Sequence, residues 1–436
     1  GVVVQFMPRG PPRRGPRAGA GAPGGPAADL PPALADTLPD THEAVAAIDA
    51  DPGVRRAQGE REAALARASG RRRGNHEWIA GGQWLDRDAG AQGRFNEWEA
   101  SLQRELRLPG KATVDRRIAD AEESVGDDLL ADARHMAAIG LLEAWLEWLA
   151  AEELRRVAAA AVADANADLD AIAARLREGD AALVEHDAAL AAASAARREE
   201  RLAEIRAQEA RITLQARYPH LPLPAQPAPV AAPAMPEPGW RHWGDRIVAV
   251  SHEVTLAQGR AELEANRAER ARLDRRANPT VGLRALSERG GDETALGVFF
   301  SVPLGNGARR AVAAEVAGQA MAAEADADAV RIEVQRHARA LAARAETLVA
   351  AWTLAKEGLD AQRQETARLE QGRGLGGVAL APLLAARRRE REAAMAEVES
   401  RAAAYGATAR LLLDAHAFWI NDDGHSGEGH EAPAAP

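Results

Sequence analysis

Cysteine is missing from all 436 residues. That excludes a disulfide framework, a thiolate zinc site, a thiol nucleophile and a lipid-modified cysteine. Aromatic residues are scarce at 4%, although hydrophobic content reaches 46%. Alanine makes up most of that apolar fraction; it favours helix and gives thin, close-packed seams rather than a thick core. Positive charge is not in excess, since 55 Lys and Arg stand against 65 Asp and Glu for a net charge of −10. Arginine is interspersed with glutamate instead of gathered in a patch, so no nucleic-acid partner is expected. No stretch approaches the ~18 apolar residues of a membrane-spanning helix, so a membrane role has to run through β-strands or an amphipathic surface.

What the chain does contain, it contains twice. Val54-Arg55-Arg56-Ala57-Gln58-Gly59-Glu60-Arg61-Glu62 is answered by Val254-Thr255-Leu256-Ala257-Gln258-Gly259-Arg260-Ala261-Glu262, an offset of 200. Arg134-His135 returns as Arg336-His337 at 202, and Ala174-Arg175-Leu176 with Gly179 returns as Ala367-Arg368-Leu369 with Gly372 at 193. Offsets this nearly constant predict two copies of one structural unit.

Residues 1–39, rich in Pro, Gly and Arg, are expected to be disordered, and no apolar segment before a cleavage site is readable there. A first unit is expected over 40–218. Leu34 to Leu38 and Thr41 to Ile48 are expected as short helical pieces, with Asp40 or Thr41 able to cap, and a helix from 52 to about 69 capped by Asp51 follows. Strands are expected at about 76–85 and 95–106, then long helices at about 112–163 and 164–216 with a tip near 177–183. No proline occurs from Lys111 to Tyr218, and Ile118, Val125, Leu129, Met136 and Ile139 step by sevens and fours. A Pro/Ala linker at 219–239 should lie extended on the surface. The second unit, 240–420, repeats the order: a helix from about 243 to 274, strands at about 279–289 and 294–302, and long helices at about 308–371 and 378–420 with a tip near 372–377. An acidic tail with His425 and His430 fills 421–436 and is expected to be disordered.

The strands carry the chemistry. From 95 to 106, Trp98, Ala100 and Leu102 share one face while Glu97, Glu99, Ser101 and Gln103 share the other. Trp78 and Trp84 lie on one face of the preceding strand, Val281 and Leu283 on one face of the third, and Leu296, Val298 and Phe300 on one face of the fourth. Period-two runs of this kind are strands. Each has about the ~9–11 residues that cross a bilayer within a barrel. A face of Trp, Leu and Val opposite a face of Glu and Gln suits lipid on one side and water on the other. Trp78, Trp84, Trp98 and Phe95 would then form an interfacial girdle. Packing within a soluble sheet is the competing arrangement.

Asn96-Glu97-Trp98-Glu99 leading into Arg107-Leu108-Pro109-Gly110-Lys111-Ala112, then Asp132-Ala133-Arg134-His135, Asn278-Pro279 and Val302-Pro303-Leu304-Gly305, carry a resemblance. Over roughly 40–420 the chain resembles the TolC-type outer-membrane efflux factors, and within them the CzcC-like heavy-metal efflux branch. The resemblance implies a mainly α fold with membrane β: two tandem repeats of helix, β-hairpin and long helical hairpin. Three chains would form one twelve-stranded barrel in the outer membrane, continuous with a periplasmic α-helical barrel, with the linker region forming an equatorial belt. It also implies a homotrimer that meets a periplasmic adaptor (membrane-fusion) protein and an inner-membrane pump. The docking tips would be Arg177, Glu178, Gly179 and Asp180 in one half, and Gly372, Arg373, Gly374, Leu375, Gly376 and Gly377 in the other.

The remaining candidates are weaker. The glycines of 372–377 sit between two helices, whereas a phosphate loop follows a strand, so they indicate a turn. Glu185 and Asp187, multiplied by three-fold symmetry, would form an acidic ring at the tunnel mouth; ordinary solvated helix carboxylates are the plainer interpretation. His135 and His337, at equivalent places in the two copies, invite a metal, but neither carries a helical H-E-x-x-H spacing. His42-Glu43 also lacks a second histidine. His416, His425 and His430 with Asp422, Asp423, Glu428 and Glu431 could hold a divalent cation only loosely. No catalytic residue, cofactor or metal ligand is assigned. The expected function is a passive efflux conduit; a soluble coiled-coil scaffold or adaptor is its rival, and no nucleophile–base pair supports an enzyme.

Overall fold

The computed structural model describes Leu34 and residues 36–74 and 76–420. The disorder expected for most of 1–39 and for the histidine-containing tail falls outside those residues. At Leu34 and residues 36–39 that expectation is corrected: Leu34, Thr37 and Leu38 are buried. Trp145 Nε1 donates to the Thr37 carbonyl at 2.8 Å and Tyr405 Oη to that of Leu34 at 3.2 Å.

The first half contains α1 (Thr41–Asp49), α2 (Pro52–Arg73), β1 (Trp78–Asp88), β2 (Arg94–Glu105), α3 (Lys111–Arg177) and α4 (Leu183–Arg217). The second contains α5 (Trp240–Val250), α6 (His252–Asp274), β3 (Thr280–Glu288), β4 (Glu293–Ser301), α7 (Gly307–Gly374) and α8 (Leu380–Asp414). Helix α3 has 67 residues and α7 has 68, each about 100 Å long at ~1.5 Å per residue.

Several boundaries differ from expectation, four of them with a clear local cause. Helix α3 does not stop near 163; it continues to Arg177, because the Ala-rich stretch 158–163 offers nothing to break it. The single helix expected over 243–274 is two: Ser251 ends α5 and caps α6, its hydroxyl accepting from Val254 N at 3.3 Å. Helix α2 runs through Arg73 and ends at Gly74, whose φ of 77° leaves the helical region. Helix α8 stops at Asp414 rather than 420, turned out by His416 at φ 54°.

Helix α2 lies along α3, while α6 touches both α3 and α7. The seams are alanine, as composition suggests: Ala189, Ala193, Ala196, Ala203 and Ala207 are the buried face of α4. The main core sits partway along the rods, where Ile48, Leu142, Trp148, Leu214, Val230, Tyr405 and Leu412 converge. Met136, placed by spacing on the α3 stripe, instead faces outward.

An ionic knot fixes the linker beside this core. Arg401 of α8 lies 2.5 Å from Glu153 of α3 and 2.9 Å from Glu397, and it also donates to the Val230 carbonyl. Glu153 in turn accepts from Val230 N at 3.2 Å, and Trp352 Nε1 donates to Glu397 at 2.8 Å. Burial opposes ionisation of Glu397, but the bonds from Arg401 and Trp352 outweigh it and hold the carboxyl below its usual value.

Candidate membrane sheet and helical tips

The four strands form one antiparallel sheet in the order β1-β2-β3-β4. Its register sorts the side chains into rows. Trp78, Arg104, Val281 and Phe300 form one row, and Ala80, Leu102, Leu283 and Val298 the next. Gly82, Ala100, Ala285 and Leu296 follow, then Trp84, Trp98, Ser287 and Thr294. Because side chains alternate strictly, all four rows share one face. That face is bare: Leu296 and Val298 are each 81% exposed, Phe300 79% and Trp84 69%. Aromatic side chains mark both ends of it. Trp78 and Trp84 are six residues apart, about 20 Å at ~3.3 Å per residue.

The opposite face is polar. Arg284 pairs with Glu99 at 2.8 Å, and Arg87 with Glu97 at 2.7 Å. Phe95 belongs here, under Arg87 at 5.7 Å, so its expected place in the girdle is corrected: an odd-numbered residue on β2 faces away from Trp98. Gly282 makes room for Phe299, whose Cζ would lie 2.5 Å from any added Cβ.

The sheet joins the rods through the residues that carried the resemblance. Lys111, only 2% exposed, donates to Asn278 Oδ1 at 2.8 Å and to the Arg276 carbonyl at 2.7 Å, and it pairs with Asp274 at 2.9 Å. Asn278 Oδ1 also accepts from Leu108 N at 3.3 Å. Arg107 and Arg270 share the buried Asp115 carboxylate at 2.9 and 2.7 Å.

At the far ends the two helical hairpins close alike. Gly179 N donates to the Leu176 carbonyl and Asp180 N to that of Arg175, at 3.1 and 2.8 Å. Gly376 N donates to Arg373 and Gly377 N to Gly372, both at 2.9 Å. Gly179 and Gly376 both have φ 77°, the left-handed helix stop that glycine allows. The match runs at an offset of 197, so the sequence pairing of Gly179 with Gly372 at 193 is corrected. Gly372, Arg373 and Gly374 are the last residues of α7, and only Leu375, Gly376 and Gly377 form the turn. Gly372 is small because Val378 Cγ2 lies 2.7 Å from where its Cβ would be.

Glu185 is half-buried and Asp187 exposed; two residues apart on α4, they do not face each other. Sequence reasoning missed Leu183 and Val184. With Leu375, already among the expected tip residues, they are exposed at 64, 72 and 88%, and their position beside a glycine turn was the available signal. Between the hairpins, Arg387 of α8 pairs with Asp168 of α3 and with Glu370 of α7, and Arg391 pairs with Glu199 of α4 at 2.9 Å.

His135 and His337 are not equivalent. His135 lies 24 residues past the start of α3 and His337 30 past the start of α7. They converge instead on one carboxylate, Asp414, at 3.3 and 3.6 Å. Among the described residues, no three His, Asp or Glu groups are placed to hold a metal ion, and no helix is long and apolar enough to cross a membrane.

No protein-family model matches the chain, and no curated protein matches it. Solved structures do. A membrane protein from Pseudomonas aeruginosa is similar over 87% of this chain and 91% of its own, with a TM-score of 0.71 and 16% identity. The outer membrane protein VceC from Vibrio cholerae is similar over 86% of this chain and 95% of its own, with a TM-score of 0.72 and 15% identity. The CmeC outer membrane channel of Campylobacter jejuni follows at 0.66 and 13%, covering 86% and 85%. The fold is the one these structures share: mostly helical, with one small sheet.

Proposed function

We propose that this chain is a passive conduit through the outer membrane and part of a tripartite efflux system. The carrying observation is the bare apolar face, in register across all four strands and bounded by aromatic rows, set on rods about 100 Å long. In water, so large a contiguous apolar face needs a cover. Lipid on that side, and water against Glu97, Glu99, Gln103 and Arg284 on the other, satisfies both faces at once.

The sheet order leaves the outer edges of β1 and β4 without strand partners among the described residues. Four strands are too few for a membrane barrel, the smallest of which have about eight. Three copies pairing β4 of one to β1 of the next give twelve, the number the family resemblance implies. The same closure would gather the rods of three tandem-repeat chains into a periplasmic tunnel, with the linker 219–239 at its equator.

The tips at Arg177 to Asp180 and Gly372 to Gly377 would meet a periplasmic adaptor and, with it, an inner-membrane pump that supplies the energy. Their exposed Leu183, Val184 and Leu375 support that assignment. Glu185 and Asp187 would ring the mouth, and the adaptor would open it by parting the Arg387 and Arg391 bridges. The likeness to the CzcC-like branch supports metal ions as cargo, with selection made by the pump.

Planar-bilayer recording tests the conduit. Ion-conducting trimers are the expected result; a soluble rod that conducts nothing would return the chain to the scaffold class.

A further inference from the structure

We propose that Asp414 is the centre of a proton-tightened clasp that holds the long helices of both halves to the end of α8. The carboxylate is 5% exposed and receives three groups. Arg410 Nε donates to Oδ1 at 2.7 Å from one turn earlier on α8. His135 Nε2 lies 3.3 Å from Oδ1, coming from α3, and His337 Nε2 lies 3.6 Å from Oδ2, coming from α7. One of these partners is a permanent cation. His337 becomes one on taking up a proton, and then turns a neutral contact into a charge-assisted one, roughly twice as strong.

The groups around the clasp come from every packed element. Helix α3 adds Asp132, α6 adds His252 and Glu253, and His416 follows α8. Helix α5 adds Arg246, whose Nε donates to the Ala415 carbonyl at 2.9 Å. Arg410 also reaches Glu143 at 3.0 Å, so its charge is shared. His416 stacks on His252 with centroids 4.5 Å apart and lies 5.3 Å from His135. It does so at φ 54°, a conformation that favours glycine, so an imidazole is held here against local backbone preference. The space among these side chains, about 30 Å³, is enough for a water or two. With the imidazoles neutral, the carboxylates of Asp132, Glu253 and Asp414 face Arg410, the more distant Arg246, and Arg260 of α6, whose charge acts on Asp132.

The sign follows from His337. The Asp414 carboxylate beside it favours the charged ring more than burial opposes it, which raises its pKa above the ordinary imidazole value. Stabilisation from a raised group is complete below the unfolded value of about 6.5 and is lost as pH rises through the folded one. Asp414 remains ionised throughout: burial opposes its charge, but the nearby His135 and His337 rings and the charge of Arg410 hold it well below the usual carboxylate range. The clasp is therefore tight in mildly acidic surroundings and slackens as they turn alkaline, changing how firmly α3 and α7 are coupled. It does not depend on the conduit reading.

The test is the apparent Tm of the full chain in detergent, measured from about pH 6 to about pH 8. For the unsubstituted chain, Tm should fall by a few degrees over that range beyond the fall in the isosteric Asp414→Asn variant. His337→Gln, at a half-exposed position that folding tolerates, should keep a shallower slope than the unsubstituted chain. Parallel slopes for His337→Gln and the unsubstituted chain would overturn the clasp, whether or not Asp414→Asn folds.

Discussion

Leu102 and Leu283 stand opposite each other across the β2–β3 pairing, where the hairpin of the first half meets that of the second. Both point to the bare face, 41 and 52% exposed. A charge there is harmless in water and costs about 2–4 kcal/mol near a bilayer midplane. Leu283→Arg should therefore deplete detergent-resistant oligomers from the outer-membrane fraction. Gln83→Lys, on the opposite face beside Glu99, should not. Equal recovery of the two variants would reject lipid as the cover.

Arg401 and its two carboxylates give a second prediction. Removing the guanidinium leaves buried charge without its partner, at a cost of about 3–5 kcal/mol. Arg401→Met should accordingly lower the apparent Tm and expose the linker near Val230 to protease. Glu397, whose pKa is lowered from 4.5, contributes stability that is present above that value and lost as pH falls below it. Glu397→Gln should flatten the acid limb of a stability profile; an unchanged limb would show that the bond contributes little.

At the tips, a side chain at Gly376 is held in the left-handed region at φ 77°, at roughly 1–2 kcal/mol. Gly376→Val should loosen the turn, seen as faster amide exchange at residues 372–380, and lower efflux while trimers remain intact. Loss of trimers would mean that the tips lie elsewhere.

Lys111 is nearly inaccessible, yet it bonds Asn278, Arg276 and Asp274 across the seam between halves. Lys111→Met retains the stem and removes the donor, leaving the Asn278 oxygen under-satisfied at about 1–3 kcal/mol. The apparent Tm should fall accordingly, and Asn278→Ala added to it should cost less than it does alone. Additive losses would show that the two residues act independently.

Much of the sheet was legible because alternation is a local property. Trp98, Ala100 and Leu102 display period two without any knowledge of their partners. The glycine turn after Leu176 was equally plain, since a left-handed stop needs a particular residue. Helix ends inside alanine-rich sequence were not legible: nothing at 163 differs from its neighbours, and only continued packing shows that α3 goes on. The break at Ser251 was hidden because helical residues lie on both sides and one hydroxyl makes the cap. The meeting of His135 with His337 was beyond sequence reading. Their shared Arg-His dipeptide suggested equivalence, but what joins them is a carboxylate contributed by the end of a third helix.

The unpartnered rims of β1 and β4 carry a consequence for the life of a newly made molecule. Each rim is a row of backbone donors and acceptors that welcomes any extended chain, rightly matched or not. Next to the rims lies a greasy surface that water does not tolerate at length. If three copies close as proposed, a solitary copy is a hazard to its siblings, and crowding before that closure should yield tangled clumps. Production would then have to be paced by, or escorted to, the place where closure happens.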